Sequence, residues 1–329
     1  MRNNYLITKK SGIPLIGVHV FGIIDRGNNL LQVRPVSGCV LNCIFCSVDE
    51  GALSRKLNTY EVECDYLVQE INKVVEYKGV NDVEVHIDGV GEPLLYKDIV
   101  NLVKGIRKNK DVKVISMQTH GTLLSSGLIK DLADARLDRI NLSIDSLNPE
   151  TAKILCGNPS YDIEKIKKCA EEIVKSGIKL MITPVIVPGY NDSQIGDLIN
   201  FAKKIGASLG IQKYERQKHG RRLKVKEETW YRFNKWLKEL EKKYDVNLLL
   251  SEKDFNLYRC KSLPIRFEKG DLVRGNVVLP GWLSNEVIIK VNDRLVTVFN
   301  SDNKVGDAVK ARIVKTKHNL YLANNIVKL

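Results

Sequence analysis

The stretch SGCVLNCIFCSVDEG, Ser37 to Gly51, places Cys39, Cys43 and Cys46 within eight residues. Three thiols are one too many for a disulfide and one too few for a closed structural zinc site. The loop directly follows an apolar run, LLQVRPVSG, which sets it at the carboxyl end of a first strand. In parallel α/β folds that edge is where ligands bind. On the residues alone two chemistries stay open. One is a zinc ion closed by a remote His86 or His120. The other is an iron–sulfur cluster held by three thiolates, with one iron left free.

Outward from this loop, six short β-type runs alternate with helical patterns between about residues 31 and 215. They are LLQVRPVSG, VEVHIDGVG, VKVISMQT, RINLSID, KLMITPVIV and SLGIQKYE. Apolar residues recur at helical spacing between them, as in Leu67, Ile71, Val74 and Val75, or Ile195, Leu198, Ile199, Ala202 and Ile205. Strands dense in apolar residues, each followed by a helix, mean a parallel sheet covered by helices. Periodicity alone leaves a doubly wound sheet and a part-barrel equally open.

After Glu215 the pattern changes. Lys213 to Lys226 carries seven Lys or Arg against one Glu, and ETWYRFNKWLKELEKKY then has the spacing of an amphipathic helix. From Leu272 onward the chain turns all-β, with Gly, Asn and Asp pairs between short runs, the sign of a small barrel or sandwich. The whole chain has 329 residues, 43% hydrophobic and 28% charged, an ordinary globular composition. No apolar run approaches the roughly 18 residues of a membrane span. The basic N-terminus lacks the three-part form of a signal peptide. An odd cysteine count, seven, with three clustered, argues for reduced thiols and a cytoplasmic setting. The net charge of +13 favours a polyanionic partner.

The C-x-x-x-C-x-x-C loop resembles that of the radical S-adenosylmethionine (SAM) superfamily, and later strand ends extend the likeness. Gly91-Glu92-Pro93 is similar to the superfamily's G-G-E-P turn, with Val90 in place of its first glycine. Thr119 to Leu124 resembles its T-N-G-T-L-L turn, Ser143 to Ser146 ends the fourth run, and Val187 to Asp192 matches the fifth ending. The resemblance covers roughly residues 30 to 215. It implies a partial (β/α)6 barrel core and a [4Fe–4S] cluster on Cys39, Cys43 and Cys46. The open iron would bind SAM, and cleavage would yield a 5′-deoxyadenosyl radical. Cofactor contacts would come from Phe45 near the adenine, Gly91 and Glu92 at the methionine ammonium, and Thr119, Ser143, Asp145 and Asn191 at later strand ends. An electron donor such as a ferredoxin or flavodoxin would be a partner.

The last 60 residues are similar to the TRAM domain, a small RNA-binding barrel of the OB-like kind, in length, strand count and position. Lys304, Lys310, Arg312, Lys315, Lys317 and Lys328 supply charge there. The expected layout is an extension (1–30), a radical SAM core (31–215), a basic segment, helix and junction (216–267), and the TRAM-like barrel (268–329). Removing the barrel should spare SAM cleavage. The basic run, Lys213, Arg216, Lys218, Arg221, Arg222 and Lys224, is expected to track RNA phosphates. Cys64 and Cys169 sit in apolar helical stripes and are expected in the core.

Together these imply a radical SAM enzyme that modifies tRNA. Methylthiotransferases share the core and the TRAM domain, but they add an N-terminal domain with a second three-cysteine cluster. Fewer than 40 residues precede Cys39, and none is cysteine. Methylation of an unactivated carbon is therefore expected, with N6-threonylcarbamoyladenosine becoming its hydroxynorvalyl form as the specific guess. Methylthiolation or another radical step on tRNA is the alternative, and a protein-directed activase or maturase is one of another class. Carbon methylation needs a carrier thiol, for which Cys260, between Arg259 and Lys261, is expected over the barrel mouth, with Cys156 as second thiol.

Overall fold

The computed structural model describes residues 2–326. β1 (Asn3–Ile7), β2 (Gly22–Asp25) and β3 (Leu30–Arg34) precede the cysteine loop, and β4 (Asn58–Val62) follows it. Next come α1 (Cys64–Lys78), β5 (Val83–Ile87), α2 (Ile99–Arg107), β6 (Val112–Thr119), α3 (Ser126–Asp134) and β7 (Arg139–Leu142). Then follow α4 (Pro149–Cys156), α5 (Ile163–Lys175), β8 (Lys179–Ile182), β9 (Val185–Ile186), α6 (Ile195–Ile205), β10 (Ser208–Leu209) and β11 (Gln212–Lys213). α7 (Trp230–Tyr244) precedes the all-β end. There lie β12 (Leu272–Pro280), β13 (Glu286–Val291), β14 (Arg294–Phe299), β15 (Ala308–Lys315) and β16 (Leu322–Asn325).

Contacts divide the chain into two compact units. One holds residues 1–38, 55–113 and 259–329; the other holds 39–54 and 114–258. β6 runs from the first into the second.

In the second unit β10, β8, β7 and β6 are successive parallel neighbours. Helices cover them with the apolar stripe that the sequence spacing requires. α5 buries Ile163, Ile166, Cys169, Ala170 and Ile173, and the Asp162 side chain caps its first turn by accepting from the Lys165 N–H. Cys169 is thus in the core, as its stripe implies.

In the first unit β5 pairs parallel with β3, and β2 adds an antiparallel edge. β1 pairs parallel with β4. These short N-terminal strands carry too little alternation to stand out in the sequence. α1 buries Leu67, Ile71, Val74 and Val75 and ends at Gly79, whose φ of 65° only glycine adopts without strain. Cys64 opens that helix and is half-buried rather than in the core.

The five C-terminal strands close into a barrel in the order β12-β13-β14-β16-β15. Its interior is Val, Ile and Ala with Phe267 and Tyr321. The chain is an α/β partial barrel core with a C-terminal five-stranded barrel. The expected separability of that barrel does not hold. Tyr60, fully buried on β4, donates its hydroxyl to the Pro280 carbonyl at 2.9 Å. Asn58 Nδ2 donates to the Gly281 carbonyl at 2.6 Å. Leu295 N–H bonds the Ile16 carbonyl and Tyr321 N–H the Gly17 carbonyl, both at 2.9 Å. Cutting at residue 268 would leave these buried polar groups and their apolar surroundings open to water.

Candidate active site

The cysteine loop is fixed from two sides within the second unit. On one side it lies along the end of α4, where Asn42 N–H bonds the Cys156 carbonyl and Ile44 N–H bonds the Leu155 carbonyl, each at 3.0 Å. Gly157 makes this approach possible: a Cβ there would stand 2.1 Å from the Asn42 carbonyl oxygen. Sulfur acceptors are already served by the backbone. Cys39 Sγ accepts the Leu41 N–H at 3.4 Å, and Cys46 Sγ accepts the Glu50 N–H at 3.3 Å.

On the other side is Arg221. Its Nε lies 3.0 Å from Asp49 Oδ1, and its two terminal nitrogens donate to the carbonyls of Cys43 (2.9 Å) and Glu50 (2.7 Å). The Arg221 N–H bonds the Cys46 carbonyl at 2.8 Å. This guanidinium is thus engaged by the loop rather than presented to solvent. Lys213 and Arg216 are also engaged internally. Lys213 is paired with Glu215 and lies over the Trp230 ring, while Arg216 donates to the Leu223 and Val225 carbonyls. Lys218, Arg222 and Lys224 point to solvent. The acidic pair Asp49-Glu50 just after the cysteines was the available sign that one nearby cation would turn inward.

The strand ends of the same unit carry a polar ladder. Gln118 Nε2 on β6 donates to Ser143 Oγ (2.8 Å) after β7 and to Thr183 Oγ1 (3.0 Å) after β8. Gln118 and Thr183 escaped the sequence reading because they lie inside apolar runs. Thr119 Oγ1 turns back to accept the Gly121 N–H at 2.9 Å. Asp145 is buried and accepts the Val185 N–H at 2.8 Å, and burial pushes its carboxyl up to about 6. Asn191 is fully buried, with both amide protons given to the carbonyls of Asp145 and Val185 and its oxygen accepting the Val187 N–H. Its amide therefore braces the turn. Phe45 is half-buried and packs against the cluster formed by Leu155, Val187 and Tyr214.

In the first unit, the turn after β5 is built on the residue before Cys39. Gly38 N–H bonds the Val90 carbonyl at 3.1 Å, and Glu92 N–H bonds the Gly38 carbonyl at 2.8 Å. Gly91 has φ 143°, and a Cβ there would stand 1.7 Å from the Gly38 oxygen. Val90, the departure from G-G-E-P, is tolerated because its side chain is buried in the core while only its carbonyl joins the turn. Glu92 is buried and its Oε1 accepts the Leu94 N–H at 3.0 Å.

The two expected working thiols separate. Cys156 is buried against Cys43, and a hydrogen bond between their thiols, followed by burial, pushes the Cys43 thiol well up. Burial likewise raises Cys46. The Cys260 N–H bonds the Gly27 carbonyl and its sulfur lies 3.8 Å from Lys78 Nζ, itself paired with Asp25 at 2.8 Å. Gly27 precedes β3, so Cys260 lies at the amino end of that strand.

Among the described residues no three Cys, His, Asp or Glu side chains surround a point that could hold a single ion. The donor set to be matched is one thiolate to each of three irons. Cys39, Cys43 and Cys46, none of them in a disulfide and on a loop whose N–H groups already address sulfur, fit that group.

Comparison with known proteins agrees. An uncharacterized protein of Methanocaldococcus jannaschii is 39% identical over 94% of this chain and 78% of its own length. A probable GTP 3′,8-cyclase of Methanococcus aeolicus is 30% identical over 68% of this chain and 71% of its own. A GTP 3′,8-cyclase of Clostridium botulinum is 34% identical, but this chain spans only 56% of its length. In fold, anSMEcpe with bound AdoMet aligns at a TM-score of 0.54 and 18% identity, over 84% of this chain and 78% of that one. A radical SAM methyltransferase from Sphaerobacter thermophilus aligns at 0.51 and 15%, over 68% and 66%. The radical SAM superfamily profile matches residues 33–202, from the strand before the cysteine loop to the helix after the last matched turn. The chain belongs to the radical SAM superfamily, and a [4Fe–4S] cluster and SAM are its cofactors.

Proposed function

We propose that the protein methylates an unactivated carbon of a modified nucleoside in tRNA, with N6-threonylcarbamoyladenosine, converted to its hydroxynorvalyl form, as the substrate to test first. The observation that carries the RNA half of this reading is the outer face of the C-terminal barrel. Arg274 on β12 stands directly opposite Lys310 on β15, with Arg312 next along the strand, and all three are exposed. Like charges in register repel, at a cost of up to about 1 kcal/mol, and a phosphate backbone relieves it. Lys328 of the expected basic set lies outside the described residues.

Cys39, Cys43 and Cys46 would hold the cluster, which together with SAM would supply radical chemistry to the substrate. The chain's own residues then position and shield. The Gly38–Gly91 turn leaves no room for a side chain, so backbone groups can approach the methionine end of SAM. Gln118, Ser143 and Thr183 offer neutral hydrogen-bonding groups at the strand ends, where a nucleoside would be held. Carbon methylation needs a carrier thiol, and Cys260 is proposed for it, with Cys156, beside the cluster loop, as the second thiol that takes a proton or resolves an intermediate.

The test is mass spectrometry of tRNA nucleosides from a strain lacking the gene. The hydroxynorvalyl nucleoside should vanish and its threonyl precursor accumulate; an unchanged profile overturns the reading. A second reading, a free guanosine nucleotide as substrate, is favoured by the relatives named GTP 3′,8-cyclase. It requires 5′-deoxyadenosine release with GTP and none with tRNA.

A further inference from the structure

The basic segment after β11 has two faces. Residues 221, 223 and 225 turn inward and 222, 224 and 226 outward. Leu223 and Val225 pack with Ile44 and Phe45, the two residues between Cys43 and Cys46, against Leu155, Val187 and Tyr214. Arg221 is bonded to the Cys43 and Cys46 carbonyls. The outward side chains Arg222, Lys224 and Lys226 are therefore one layer of side chains away from the cluster loop, and all are exposed. Arg222, Lys224 and Lys226 are three cations in five residues, with no acidic residue between them. Of the neighbouring acids, Glu215 is paired with Lys213 and Glu227 with Arg216, while Glu228 follows two residues after Lys226. Just beyond, Trp230 and Tyr231 expose 55% and 79% of their surface, which supplies an apolar centre beside the charges.

We propose that Arg222, Lys224 and Lys226, with Trp230 and Tyr231, are the docking surface for an acidic one-electron carrier protein of the flavodoxin or ferredoxin class. A substrate must reach the strand ends themselves, where Gln118, Ser143 and Thr183 meet. An electron need only reach the ligand loop, and it crosses a layer of packed side chains. A small surface steered by complementary charge suits such short-lived encounters. In the step, the docked carrier is oxidised by one electron, the group held by Cys39, Cys43 and Cys46 takes that electron up, and no bond or proton moves.

The test measures binding of a flavodoxin and of a ferredoxin to reconstituted protein by calorimetry at low and physiological salt, alongside binding of tRNA. Reversal of all three charges (R222E/K224E/K226E) should weaken carrier binding by about tenfold or more at low salt and remove most of its salt dependence. Affinity for tRNA should change by less than about twofold, because the barrel face is untouched. K224A alone, with iron content as wild type, should weaken carrier binding about two- to threefold, which guards against a misfolded triple variant. Unchanged carrier affinity overturns the proposal, as does a wild-type protein that binds neither carrier. A loss confined to tRNA, or equal for both, also overturns it and gives the strip to the nucleic acid.

Discussion

Arg221 and Asp49, 172 residues apart in sequence, form an ion pair at 3.0 Å beside the cluster loop, with 17% and 5% of their side chains exposed. The same guanidinium donates to two loop carbonyls, so its loss would take hydrogen bonds from a carboxylate and both oxygens in a largely buried place. Breaking such a pair costs about 2–3 kcal/mol after allowance for its partial exposure. Arg221→Ala should lower the urea midpoint accordingly and reduce the iron retained after reconstitution. Arg221→Lys keeps the charge but not the fork and should fall between. Wild-type iron content and stability in Arg221→Ala would show that the clamp is dispensable.

Gly91 and Gly89 test the turn after β5. A methyl group on Gly91 would overlap the Gly38 oxygen at 1.7 Å, whereas one on Gly89 meets its nearest neighbour, the Val36 oxygen, at 3.3 Å. Gly91→Ala should cost on the order of 3 kcal/mol and Gly89→Ala about 1 kcal/mol or less. Equilibrium dialysis with labelled SAM should show binding lost in the first and kept in the second. Equal retention in both would place the cofactor away from this turn.

The cysteine loop, the order of β/α units and the C-terminal barrel were legible because each rests on local pattern: ligand spacing, apolar runs and turn residues. What charge does was not. Arg221 and Arg222 are neighbours of identical type, yet one is folded onto the loop and the other faces water. Only long-range packing of the segment on Ile44 and Phe45 decides which. The surroundings of Cys260 were not legible for a related reason. Its flanking Arg259 and Lys261 suggested an exposed thiolate, but the chain returns to the start of β3, where Lys78 and Asp25 receive it. Asn191 matched a motif correctly, and the motif turned out to be a backbone brace.

Asp145 gives a pH dependence. Burial raises its folded-state pKa to about 6 from a model-peptide value of 3.8. Between those values the folded protein binds more protons than the unfolded, so stability falls as pH rises through this window and is level above it. The fall attributable to Asp145 is on the order of 3 kcal/mol. Asp145→Asn keeps an oxygen for the Val185 N–H and cannot ionise. The difference in urea stability between variant and wild type should therefore grow from about pH 4 to about pH 6 and then stay constant. A constant difference across that range would mean the carboxyl titrates normally.

The barrel face makes the remaining prediction two-sided. Arg274 and Lys310 are paired in register on exposed strands, so neutralising one removes a repulsion in the free protein and a phosphate contact in the complex. Arg274→Gln should raise the stability of the free protein slightly, by about 0.2–1 kcal/mol. The same change should weaken tRNA binding and reduce the slope of log affinity against log salt by roughly one, and adding Lys310→Gln should take a similar step. A surface shaped for stability alone would not gain stability by losing a charged residue. If both variants bind tRNA with wild-type affinity and slope, the face is solvated and the nucleic acid lies elsewhere. If they weaken binding without stabilising the free protein, the cations are held apart by some other contact, and the repulsion argument fails while the RNA assignment stands.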